Sequence, residues 1–156
     1  MIAVVQRVGE ARVDVAGETV GKIPGGLLIL AGVRKGDTAA HAEVLADRIA
    51  GLRIFEDEGG RMNRSVIDVG RPVLVVSQFT LCADLRRGRR PGFDGAAPPT
   101  DAVPRLEEFV GALKAQGLTV EQGRFGATMD VHLVNQGPAT FLLDSADWLS
   151  KSDCVG

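Results

Sequence analysis

The chain alternates between short apolar runs that suit strands and two longer stretches with helical spacing. Met1 to Val8 reads as a buried strand, and "ARVDVAGETVGKI" alternates on both sides of Ala16-Gly17, which predicts a hairpin. "GLLILAGV" (Gly26 to Val33) and "RPVLVVSQFTL" (Arg71 to Leu81) hold continuous apolar runs, with Val73 to Val76 as the β-branched centre of the second. Runs of that length fit strands covered on both faces. After a cap at Asp37 or Thr38, Ala42, Leu45, Ala46, Ile49 and Leu52 fall on one helical stripe that ends at Gly51. A second stripe, Val103, Leu106, Phe109, Val110 and Leu113, follows a cap at Thr100 or Asp101 and closes at Gly117, with Pro104 placed in its first turn. "LRIFEDEGGRM" suggests a short strand with a Gly59-Gly60 turn. Three further strands are predicted at Leu118 to Gln122, Met129 to Val134 and Ala139 to Leu143. The last two are parted by Gln136-Gly137-Pro138, because proline in a sheet is confined to edges, strand starts and bulges.

This order, with neighbouring strands joined as hairpins, predicts a single α+β domain, largely antiparallel and barrel-like, with two main helices. Its expected bounds are residues 1–145, followed by a polar tail, residues 146–156, in which "DWLSKSDCVG" is expected to fray. A chain of 156 residues is long enough to bury a core. Its 45% hydrophobic and 24% charged content is that of a globular protein, and the net charge of −2 carries no global signal for nucleic acid. No apolar run approaches the length that spans a bilayer, and the first residues lack the order of a signal peptide, so a cytoplasmic location is expected.

Candidate chemistry is sparse. Cys82 and Cys154 are expected to be reduced thiols, and His41 and His132 to be surface or polar-face residues without a second ligand at metal spacing. Ser77 and Thr80 lie at the end of an apolar strand, but no Gly-x-Ser-x-Gly elbow surrounds Ser77 and no base is visible for either hydroxyl. The segment Asp84 to Thr100, "DLRRGRRPGFDGAAPPT", keeps no period and reads as a loop. Within it Arg86, Arg87, Arg89 and Arg90 crowd together and Phe93 follows. Such a loop can grip an RNA backbone and stack on a base, or simply be solvated.

Two motifs in one chain narrow this. "SQFTL" (Ser77 to Leu81) and "NQGPAT" (Asn135 to Thr140) together resemble the signatures of the D-aminoacyl-tRNA deacylases, also called D-tyrosyl-tRNA deacylases. "AVVQRV", "LRIFEDEGGRMNRSVIDVG", "RRGRRPGF" and "GRFGATMDVHLVN" resemble family segments in the same order, from Met1 to about Ser145. Ala139 departs from the valine usual after the proline, and repacking around it is expected. The resemblance implies hydrolysis of the ester joining a D-amino acid, or mischarged glycine, to the 3′-terminal adenosine of tRNA. It implies a homodimer with its active site at the subunit interface, and neither metal nor organic cofactor. Ser77, Gln78, Phe79 and Thr80 would form the catalytic segment. The backbone N–H groups of Phe79 and Thr80 would hold the oxyanion, with Thr80 as rival nucleophile. Phe125 and Met129 would line the adenine pocket. A cis Gly137-Pro138 bond would reach into the partner's site and reject L substrates, with Arg7 supporting that loop. Arg86, Arg87, Arg89 and Arg90 would bind tRNA. A non-catalytic tRNA-binding module and an L-alanyl-tRNA proofreader with a trans Gly-Pro bond remain the alternatives.

Overall fold

The architecture follows from which strand faces are covered. In a computed structural model that describes residues 1–149, a strongly curved six-stranded sheet is packed on one side by two helices. The elements are β1 (Ile2–Val15), β2 (Glu18–Ile23), β3 (Gly26–Gly32), α1 (Ala39–Ala50), β4 (Phe55–Glu56), β5 (Met62–Arg64), β6 (Val73–Ser77), α2 (Pro99–Ala115), β7 (Val120–Gln122) and β8 (Asp130–Asp144). The strand β1 is antiparallel to β2, β3 and β8, whereas β6 runs parallel to both β3 and β7. Parallel neighbours need crossover connections, and here α1 lies in the first crossover and α2 in the second. Both helices therefore cover the same face. The small pair β4–β5 forms a separate ribbon.

Two cores result. Leu27, Ile29, Val73 and Val75 face the helices and meet Leu45, Ile49, Phe109 and Leu113. Their neighbours Leu28, Leu74 and Val76 point to the barrel interior, against Val8, Ala11, Val13 and Ile23. Alternate residues fill different cores, so the two central strands show no polar face. The sheet nearly closes on itself where β2 approaches β7. At Gly21 a Cβ would strike the carbonyl oxygen of Gln122, so glycine is what lets these two backbones approach. The Ala16-Gly17 hairpin is present, with φ of 50° and 81°, the positive values of a type I′ turn.

Several elements differ from the sequence expectation. The strand β1 continues through Gly9 to Val15 rather than stopping near Val8. Thr38 caps α1 and His41 answers it in a capping box, so His41 is buried rather than on the surface. The helix α2 begins at Pro99 with Pro98 as its cap. Pro104 consequently falls inside the helix, beyond the first turn, and the carbonyl it would have engaged belongs to exposed Thr100. Residues 145–147 form a 3₁₀ turn, and Trp148 packs on the core with Arg48 5.2 Å from its ring centre. Cys154 and the remaining tail lie outside the described residues.

The largest difference concerns β8, which is one strand. Against β1, Gln6 pairs with Thr140 and Val8 with Asn135, so Gln136 to Ala139 stand opposite Arg7 alone. The Gly-Pro stretch is a bulge projecting from an otherwise continuous strand, which is why a residue without an N–H is tolerated there.

Candidate active site

The site begins where β6 runs out. Ser77 is the last residue of β6, and the chain then turns through a single 3₁₀ turn, Phe79–Cys82. Two bonds fix that turn to the end of β3: Gln78 N–H donates to the Ala31 carbonyl at 2.8 Å, and the Cys82 thiol lies 3.5 Å from the Val33 carbonyl. Burial pushes the Cys82 thiol up, so it stays protonated and packs. Gly32 makes the close packing possible, because a Cβ there would lie 2.9 Å from the Gln78 carbonyl oxygen.

A helical turn leaves its first N–H groups without intrahelical acceptors. Here these belong to Phe79 and Thr80, and among the described residues no acceptor takes either one. The Gln78 side-chain amide donates to the Thr80 hydroxyl. An amide cannot remove a proton, so this contact orients Thr80 without activating it.

Beside this turn lies a cavity of about 510 Å³. Ser77, Gln78 and Phe79 form one wall, Phe125 and Met129 another, and Leu106 of α2 closes a third. Of these six named residues only Ser77 and Gln78 are polar, so the cavity suits a base or an amino-acid side chain. Ser77, Gln78, Phe79, Phe125 and Met129, five of the residues expected at the site, therefore converge. Thr80, next in the chain after Phe79, is not part of the lining.

Arg7, Gly137 and Pro138 do not line this cavity. Arg7 is only 7% exposed, and its guanidinium donates from Nε to the Gln136 carbonyl at 2.8 Å and from one terminal nitrogen to the Ile54 carbonyl at 2.5 Å. Asn135 bonds the carbonyl of buried Ala139 at 3.1 Å, closing the bulge from its other end. At Gly137 a Cβ would collide with the backbone nitrogen of Ala139 and the Asn135 side chain. The Gly137–Pro138 peptide bond is cis. The bulge is thus held firmly and presented outward, on a strand whose only partner among the described residues is β1.

The Arg-rich loop is anchored at its base. Asp84 and Gly92 exchange backbone bonds of 2.7 and 3.0 Å, and Ala97 N–H donates to the Val33 carbonyl at 3.0 Å. Phe93 meets Phe79 edge to face at 5.0 Å, which joins the loop to the cavity wall. Arg86 folds back onto Asp84, with bonds of 2.9 and 2.8 Å, and these hold the Asp84 carboxyl well below the usual carboxylate range. Among the described residues, Arg87, Arg89 and Arg90 make no such pair.

A profile of the family described as D-Tyr-tRNA(Tyr) deacylase matches residues 4–144. The chain belongs to this family. A protein of Roseiflexus sp. (strain RS-1) called D-aminoacyl-tRNA deacylase is 59% identical over 146 residues, 94% of each chain. A D-aminoacyl-tRNA deacylase of Thermotoga petrophila is 58% identical over 146 residues, 94% of this chain and 98% of its own. Among solved structures, one described as c-Myc DNA Unwinding Element Binding Protein superposes with a TM-score of 0.86 at 39% identity, covering 92% of this chain and 98% of that one. A probable eukaryotic D-amino acid tRNA deacylase shares the fold at a TM-score of 0.77 and 15% identity, with the same coverage.

Sequence reasoning alone did not mark the walls the cavity takes from α2, nor Arg34, which lies beside the Arg-rich loop. Arg34 carries a signal only in the fold, where it grips Asp144 with bonds of 3.0 and 2.6 Å.

Proposed function

We propose that this deacylase hydrolyses the ester of D-aminoacyl-tRNA, and of mischarged glycyl-tRNA, releasing free tRNA and the amino acid. The observation that carries the reading is the pair of unclaimed N–H groups at Phe79 and Thr80, at the start of the turn that walls the apolar cavity. An aminoacyl ester is already activated, so water attacks it once the developing oxyanion has fixed donors, and such donors contribute about 3–4 kcal/mol each at the transition state. The terminal adenosine occupies the wall of Phe125 and Met129, and Gln78 and Ser77 orient the ester. The substrate's own ribose 2′-hydroxyl carries the proton, which accounts for a site without a catalytic histidine.

Selection against L substrates falls to Gly137 and Pro138 of a second subunit, whose carbonyl oxygens stand where an L side chain would go. Two features support an interfacial site. The bulge lies outside its own subunit's cavity, and among the described residues β8 leaves one edge unpaired, with Val134 and Leu142 more than half exposed along the strand. An unpaired edge of that length invites another chain. A substrate of translation places the enzyme in the cytoplasm. Purified protein and D-tyrosyl-tRNA carrying a labelled amino acid test the activity: release well above the spontaneous rate is expected, and release at the spontaneous rate refutes it.

A further inference from the structure

A second cavity, of about 970 Å³, opens between the Arg-rich loop and the end of β3. We propose that it holds the phosphodiesters immediately 5′ of the terminal adenosine, with Arg87 and Arg90 as the phosphate ligands. The proposal rests on the deacylase reading and adds which nucleotides and which arginines are involved.

Position is the first argument. The 3₁₀ turn separates the two cavities, with Phe79 on the catalytic one and Cys82 on the second. A 3₁₀ turn rises about 2 Å per residue, so its ends lie about 6 Å apart, a gap that one nucleotide of extended strand spans. An adenosine held in the first cavity thus delivers its 5′ phosphate to the second. The Phe79–Phe93 contact fixes the loop against the same wall.

Charge is the second argument, and it sorts the four arginines. Arg34, Arg86, Arg87 and Arg90 line the second cavity together with Asp84 and Asp94. Two of these cations are already spent: Arg86 is bound to Asp84, and Arg34 is bound to Asp144. Arg87 and Arg90 have no acidic partner among the described residues and face the cavity, where a guanidinium fork matches a phosphate. Arg89 is not part of the lining. The Asp84–Arg86 pair instead folds the loop, reinforced by the backbone bond from Arg86 N–H to Asp84 at 3.0 Å.

Truncated substrates test this directly. The probes are D-tyrosyl-adenosine, which has no phosphate, and the D-tyrosyl ester of the trinucleotide cytidylyl-cytidylyl-adenosine. The double variant Arg87→Ala/Arg90→Ala is expected to lose at least about tenfold in kcat/KM on the trinucleotide ester and to match wild type on the adenosine ester. The logarithmic salt dependence on the trinucleotide should flatten by about 1.4, at roughly 0.7 per single-strand phosphate contact. Equal losses on both esters would mean that the loop only shapes the catalytic cavity, and no loss on either would remove the loop from binding. Both results overturn the proposal. A wild-type protein idle on both esters and on D-tyrosyl-tRNA would sink the deacylase reading itself, and this proposal with it.

Discussion

Replacing Arg7 with methionine keeps an apolar stem of similar length and removes the guanidinium. Two charge-assisted bonds are lost, to the Gln136 and Ile54 carbonyls. Bonds from charged donors contribute about 1.5–3 kcal/mol each, and the buried Ile54 carbonyl would be left without its partner. Relief from burying a charge offsets part of this, leaving a net cost of about 3 kcal/mol. In a domain of this size, about 3 kcal/mol lowers Tm by roughly 6–12 °C. Arg7→Lys should recover part of that loss, because an ammonium reaches one carbonyl but cannot fork to both. The bulge would also lose its anchor at Gln136, so the ratio of D- to L-tyrosyl-tRNA hydrolysis should fall about tenfold or more. Thermal unfolding followed by circular dichroism gives the first quantity, and parallel deacylation time courses give the second. A Tm within about 1 °C of wild type refutes the energetic argument. A large drop in Tm with an unchanged D-to-L ratio refutes the link between Arg7 and selection.

Gly32→Ala places a Cβ 2.9 Å from the Gln78 carbonyl oxygen and 3.1 Å from the Cys82 sulfur, so the 3₁₀ turn must shift away from β3. Its displaced N–H pair should cost about 10- to 100-fold in kcat on D-tyrosyl-tRNA, and unchanged kcat would contradict the role given to that turn. Thr80→Ala should keep a third or more of wild-type kcat/KM, by rough estimate, since it retains the backbone N–H, whereas a nucleophile's removal would cost at least about 10³-fold. Burial, and then the nearby Met1 amino group, hold the His41 imidazole below its usual value. A base depressed in the folded state binds fewer protons there than when unfolded, so stability is full above about pH 6.5 and falls as pH drops toward the folded pKa. His41→Gln should flatten that part of a denaturation-against-pH curve, and an unaltered slope would refute the assignment.

The elements legible in the sequence are those whose pattern has a local cause. The strands β3 and β6 announce themselves because both faces are covered, and the α1 stripe because one face is. The hairpin at Ala16-Gly17 is encoded in two residues. The continuity of β8 is not legible, because the residue that accommodates its bulge is Arg7, 129 positions away. Pro138 therefore looks like a strand break when only its neighbours are considered. The burial of His41 is hidden for a related reason: a histidine in a capping box looks like any polar helix residue until the N-terminal strand packs beside it. In the cavity, Phe125 and Met129 are marked only by family resemblance, since either would serve equally as core. The pairing that withdraws Arg86 from the cluster of four arginines depends on Asp84 side-chain geometry that composition does not reveal.

The central claim is that this chain removes D-amino acids from tRNA and spares L-amino acids. Time courses with equal concentrations of D-tyrosyl-tRNA and L-tyrosyl-tRNA, under one set of conditions, test it most directly. The account predicts rapid loss of the D ester while the L ester decays at its spontaneous rate. Equal rates on the two esters, or an intact D ester, would contradict it.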